Sequence, residues 1–199
     1  MISKLFRGVL IAAVLISAIL IGIRQEQKKE VNAYILPNLP RPIAKEAVLI
    51  ASAGQSTDIY IIKDIANQMM IRNFFMPQAK EKDLEDINTL VFVVGYSPMG
   101  TQIQGISYEN EKERIEKLLE KAENKSITVL TVFIGGKQRR GQNTDELLKL
   151  ISSHTDYLIG LSDSNYDNLL SELAKDNNIP LTLVKGVNDI SGPFASAFR

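Results

Sequence analysis

The chain contains long apolar runs that do not alternate with polar residues, and this restricts its fold more than any other feature. A strand with one solvated face alternates apolar and polar side chains; a strand covered on both faces does not. Ala47 to Ala53, Thr89 to Gly95 (with Leu90-Val91-Phe92-Val93-Val94), Ile127 to Ile134, Tyr157 to Leu161 and Pro180 to Lys185 all read as strands buried on both sides. Asn73 to Met76, stopped by Pro77, reads as a shorter strand. Helical patterns separate them. Asp58 to Ile71 places Ile62, Ile65, Ala66 and Met69 on one face, and Asn110 to Lys125 places Ile115, Leu118, Leu119 and Ala122 inward. The charges of the latter, including Glu113 and Lys117, are expected on a solvated face. Asp83 to Ile87, Thr144 to Ser153, Asn165 to Asn177 and a last helix from Val187 towards Phe198, interrupted at Gly192-Pro193, complete the pattern. The expectation is an α/β fold: a doubly wound parallel sheet of five to six strands, with flavodoxin-like order 2-1-3-4-5-6, or else Rossmann-like 3-2-1-4-5-6.

The first part of the chain is different. Lys4 and Arg7 precede an uncharged apolar run from Gly8 to Ile23, which as a helix spans about 24 Å, a little under the roughly 30 Å hydrocarbon core. Charge followed by an apolar run is the order of a signal sequence, but Ile21-Gly22-Ile23-Arg24 is a poor cleavage site. Residues 1–24 therefore read as a signal anchor, with the domain on the extracytoplasmic side of the cell membrane, or secreted if the segment is cleaved. Residues 25–45, with Pro37, Pro40 and Pro42, read as a stiff extended tether, and residues 46–199 as one α/β domain.

Composition excludes several chemistries. Lys+Arg and Asp+Glu balance at 23 each in the 199 residues, so the basic excess of a nucleic-acid binder is missing. No cysteine is present, which removes thiol nucleophiles, disulfides and thiolate metal sites. His154 is the sole histidine; it precedes the strand at Tyr157 and should lie at the amino edge of the sheet. No metal site is expected, and no cofactor is specified by the sequence.

Ligands of open parallel sheets bind outside the carboxyl ends of the strands, which selects four loops. The first, Ser52-Ala53-Gly54-Gln55-Ser56-Thr57-Asp58, opens a helix and offers small residues and free amides, or N-capping by Ser56 or Thr57. Gly54-Gln55-Ser56 is also a partial nucleophile elbow, but Asp58 stands where a glycine is required, and His154 is at the wrong edge to serve as base. The hydroxyls of this loop, with Tyr96 to stack on a ring, admit a flavin reading as well. The second loop, Gly95 to Gly105, is long enough to be a lid. The third holds Gly136, Lys137, Arg139 and Arg140 between glycines, before a helix capped by Asn143 or Thr144; guanidinium forks suit carboxylate or phosphate, and the spacing is not that of a Walker loop. The fourth, Asp163 to Asp167, lacks the glycine and glutamate of a calcium loop, and Asn165 should cap the next helix.

Gly54-Gln55-Ser56-x-Asp58, Val93-Val94-Gly95, Gly135-Gly136-x-x-Arg139-Arg140-Gly141 and Ile179-Pro180-Leu181-Thr182-Leu183-Val184 together resemble a family of small exported bacterial α/β proteins known only as a domain of unknown function. The resemblance runs from about Ala47 to Lys185. It implies an exported α/β domain and assigns no catalytic residue. The leading expectation is a binding module for a small anionic or polar ligand, held by Ser52, Gly54, Gln55, Ser56, Asp58, Gly95, Tyr96, Gly136, Lys137, Arg139 and Arg140. The alternatives are an enzyme (a hydrolase using Ser56, or a flavoprotein) and an interaction domain without a pocket.

Overall fold

The computed structural model describes residues 35–199; the expected signal anchor and the first part of the tether lie outside them. Among the described residues no helix is long and apolar enough to cross a membrane.

Strands β1 (Val48–Ala53), β2 (Asn73–Phe75), β3 (Thr89–Val94), β4 (Thr128–Phe133), β5 (Tyr157–Leu161) and β6 (Leu181–Val184) form one parallel six-stranded sheet of order β2-β1-β3-β4-β5-β6. This is the first of the two expected orders. The helices are α1 (Ile59–Gln68), α2 (Pro98–Ile103), α3 (Tyr108–Asn124), α4 (Gln142–Ser152), α5 (Leu169–Asp176) and α6 (Ser191–Ser196). Two apolar cores result, one on each face. Leu49, Ala51, Leu90, Phe92 and Phe133 pack under α3, α4 and α5 with Ile115, Leu118, Leu147 and Leu170. Val48, Ile50, Val91, Val93 and Ile159 pack with Ile59 and Ile62 of α1 and Phe194 of α6. Successive residues of one strand serve opposite cores, so both must be apolar, which is why the runs do not alternate.

Three local expectations are corrected. Residues 35–45 are extended but docked rather than a free spacer: Ile35 bridges Leu181 beside β6, the Ile43 and Ala44 amides donate to the Ala197 carbonyl at 2.9 and 2.8 Å, and Leu39 and Ala44 are buried. The second loop contains α2. Ser97 caps it by accepting from the Gly100 amide at 3.1 Å, and Pro98 occupies its first turn, a Ser-Pro start signal present in the sequence. Gly192-Pro193 does not interrupt the last helix but lies in the first turn of α6, where proline forfeits no intrahelical bond.

Candidate functional site

The first loop turns sharply after β1. Gly54 has φ of 105° and Gln55 of 62°, and a side chain on Gly54 would strike the Gly95 carbonyl, 2.5 Å from a Cβ placed there. Only glycine fits at position 54, and the left-handed Gln55 needs external support. That support comes from α3. Glu111, fully buried, accepts from the Gly54 amide at 2.8 Å and from Gln55 Nε2 at 3.0 Å. Arg114 pairs with the same carboxylate at 2.8 Å and donates onward to the Ala79 carbonyl at 2.8 Å and the Ser52 carbonyl at 2.5 Å. The expected solvated face of this helix is thus only partly solvated. Glu113 and Lys117 are exposed and paired at 2.7 Å, whereas Glu111 and Arg114 turn inward. Their i, i+3 spacing and the glycine-turn loop were visible in the sequence; their meeting was not.

In front of this support the loop is unsatisfied. Ser52 Oγ and Asp58 Oδ2 are the buried side-chain polar atoms that lack a hydrogen-bond partner among the described residues. Asp58 stands at the start of α1 without capping it through its side chain; its amide donates to Ser56 Oγ at 3.2 Å. Neither Ser56 nor Thr57 is the cap residue expected. Asp58 Oδ2 reaches over two glycines instead: it lies 3.6 Å from where a Cβ on Gly95 would sit and 3.2 Å from one on Gly135. Ser56 Oγ stands 3.3 Å from the same Gly95 point. On the far side Asp163 Oδ2 is 3.0 Å from the equivalent point on Gly136, whose φ is 63°. The stem of Arg139 closes against Gly135. Asp58, Arg139 and Asp163 therefore crowd over the backbone of Gly95, Gly135 and Gly136, which brings the ends of the first, third and fourth loops together.

The two arginines of the third loop part company. Arg140 is folded inward with 2% of its side chain exposed; it forks onto Asp145 and Asp167 and donates to the Ser164 carbonyl at 2.6 Å. The Asp145 carboxylate, then Asp167, hold its pKa above the ordinary arginine range, and Arg140 in turn holds Asp167 below the usual carboxylate range. Its donors serve the protein itself, so it locks the third loop to the fourth. Arg139 forms no ion pair or side-chain hydrogen bond among the described residues, and with Tyr96, Pro98 and Asn143 it borders a groove of about 390 Å³. Lys137 lies 4.9 Å over the Tyr166 ring.

Tyr96 packs edge-on against Tyr108 with centroids 5.3 Å apart, and its amide donates to Thr144 Oγ1 at 3.1 Å. Thr144 and Asn143 are not the cap of α4, which starts after Gly141 without a side-chain cap. Asn165 accepts from the Ser171 amide at 3.2 Å in the first turn of α5, although that helix begins four residues later than expected, after a left-handed Asn168. His154 is 3.4 Å from Glu123, beside the start of β4 and away from every carboxyl-edge loop. Among the described residues no group of three or more potential metal ligands converges.

The profile of a family described as "Domain of unknown function (DUF6305)" matches residues 45–198. No curated protein matches the chain. Among solved structures, the chain is similar to AlinE4, an SGNH-hydrolase family esterase, at 10% identity over 69% of this chain and 75% of that one, with a TM-score of 0.30. A mutant of the same esterase gives 11%, 70% and 76%, with a TM-score of 0.29. At such scores the similarity carries no argument about chemistry.

Proposed function

We propose a function for this chain, which belongs to the DUF6305 family: the meeting of its loops over Gly95, Gly135 and Gly136 holds a small polar ligand that offers a hydrogen-bond donor to Asp58 and an anionic group to Arg139. The observation that carries the reading is Asp58 Oδ2, buried, without a partner and set over Gly95 and Gly135 where the first and third loops meet. A buried carboxylate oxygen left unsatisfied costs on the order of 1–3 kcal/mol or more, and such groups concentrate where a ligand completes them. Arg139, whose stem packs on Gly135 next to Asp58, carries a guanidinium without a partner among the described residues, a fork for a carboxylate or phosphate. Small amino acids and aminophosphonates present both groups.

Thermal-shift screening of the full-length chain with amino acids, carboxylates and phosphates tests this. A melting temperature that rises with a zwitterion and stays flat in Asp58→Asn and in Arg139→Ala supports it. No shift with any of these compounds rejects it. The apolar run from Gly8 to Ile23 supports carriage on the outer face of a membrane. Protease added to intact spheroplasts should then remove the domain; protection until lysis would reverse that orientation.

A further inference from the structure

Ser52 Oγ is the other unsatisfied atom, and its residue lines a cavity whose lining does not include Asp58. Ser52 is fully buried on β1. Its amide donates to the Pro77 carbonyl at 3.1 Å, and its carbonyl accepts from Arg114, so its backbone is committed. Only the hydroxyl is left over. Ser52 lines a cavity of about 250 Å³ between α1, the turn after β2 and the C-terminal end of α2, whose walls include Ile59, Tyr60, Pro77 and Ile103 and the polar Ser56 and Gln104. None of the side chains lining it is charged. At the mouth, Tyr60 is 51% exposed and Ile103 75% exposed. The wall carried by α2 is fixed in place, because Gly100 packs so closely on the Gln55 carbonyl that no side chain fits there.

We propose that this cavity is a second binding site, for a small uncharged amphipathic molecule: an amide or hydroxyl group carried on a short apolar body. The polar end pairs with Ser52 Oγ, which both donates and accepts. The body lies along Ile59 and Pro77 and covers the exposed faces of Tyr60 and Ile103. The volume, just below the roughly 300–1,000 Å³ range of ligand pockets, limits the body to a few carbons. A charged head is excluded, because a buried charge with no counter-charge in the wall is strongly disfavoured. The site does not depend on the zwitterion reading at Asp58, since no charged side chain lines the cavity; Ser56 is the residue common to the two.

The test uses the full-length chain with pentanamide, pentanoate and pentylammonium as probes, read by the side-chain methyl resonances of Ile59 and Ile103. Pentanamide should give saturable shifts, and the two charged analogues should bind at least about tenfold more weakly. Ser52→Ala removes the hydroxyl with the least change in volume and should weaken pentanamide about fivefold, one hydrogen bond's worth. Ile103→Glu, on an exposed position that leaves folding intact, should weaken it as well. Asp58→Asn should leave pentanamide binding unchanged while abolishing any zwitterion response. The proposal is overturned by the absence of saturable shifts, by pentanoate binding as well as the amide, or by unaltered binding in Ile103→Glu. Loss of pentanamide binding in Asp58→Asn would also overturn it, by making the two compartments one site.

Discussion

The loop after β1 and the loop after β4 look equally functional as sequence, yet the fold treats them in opposite ways. The loop after β4 carries Lys137, Arg139 and Arg140, the densest cationic cluster at the carboxyl edge, and its most deeply placed charge is fully occupied: Arg140 joins Asp145, Asp167 and the Ser164 carbonyl. The loop after β1 carries little charge and is braced from behind by Glu111 and Arg114, but it leaves Ser52 Oγ and Asp58 Oδ2 unpaired in front. Charge density marks where electrostatics are strong. Unsatisfied atoms mark where they are unfinished, and the second criterion is the better guide to a ligand.

The comparison can be broken at its support first. Glu111→Ala removes the buried acceptor of the Gly54 amide and of Gln55 and strands Arg114; it should cost about 3–5 kcal/mol and appear in denaturant unfolding as a lower midpoint. A loss under 1 kcal/mol would mean the first loop holds its strained turn unaided. Arg140→Ala, next in size, should cost about 2–4 kcal/mol, because it leaves Asp145 and the Ser164 carbonyl without their donor, while ligand responses at Asp58 persist once the protein is folded. Arg139→Ala should do the reverse, sparing stability and removing the response. If the two arginines exchange these phenotypes, the contrast between satisfied and unfinished loops fails.

Acid sharpens the same contrast. Arg140 lowers the pKa of Asp167 in the folded chain. The pairing therefore contributes fully above the ordinary aspartate value of about 4 and fades as pH falls through the lower folded value. Asp167→Asn should be less stable than the parent near neutrality and should lose less on acidification; parallel stability curves would show that the pair contributes nothing. Asp58→Asn is a test of sign. Removing an uncompensated carboxylate should leave stability unchanged or raised by up to about 1 kcal/mol, as at sites where function is held at the expense of stability, and calorimetry distinguishes this from a structural loss. The smallest effect belongs to His154→Gln. Its contact with Glu123 lies at the surface, so a change within about 0.5 kcal/mol is expected, and any loss of ligand response would contradict the placement of the site.

The fold class was legible in the sequence, as were two candidate strand orders, of which the fold takes the first, and the edge where the glycine- and hydroxyl-rich loops gather. These follow from backbone physics that each segment carries alone: uninterrupted apolar runs require a doubly covered strand, parallel strands require helical crossovers, and the shared direction of the strands puts the loops after β1, β3, β4 and β5 at one edge. The sequence also placed His154 away from that edge. What it left undecided were pairings between residues far apart in the chain. Glu111 and Arg114 looked like any exposed charges on an amphipathic helix, since nothing within α3 records that Gly54 and Gln55 lie beneath them. Arg139 and Arg140 are adjacent and alike, and only the approach of Asp145 and Asp167 separates a structural guanidinium from a free one. Residues 35–45 read as spacer because proline restricts the backbone whether or not a surface is there to receive it, and only the folded domain supplied that surface, at Leu181 of β6 and Ala197 after α6. A residue's type and its local period are written in the chain; whether its polar atoms have been satisfied is a property of tertiary contact, and it is that property which singles out Ser52 and Asp58.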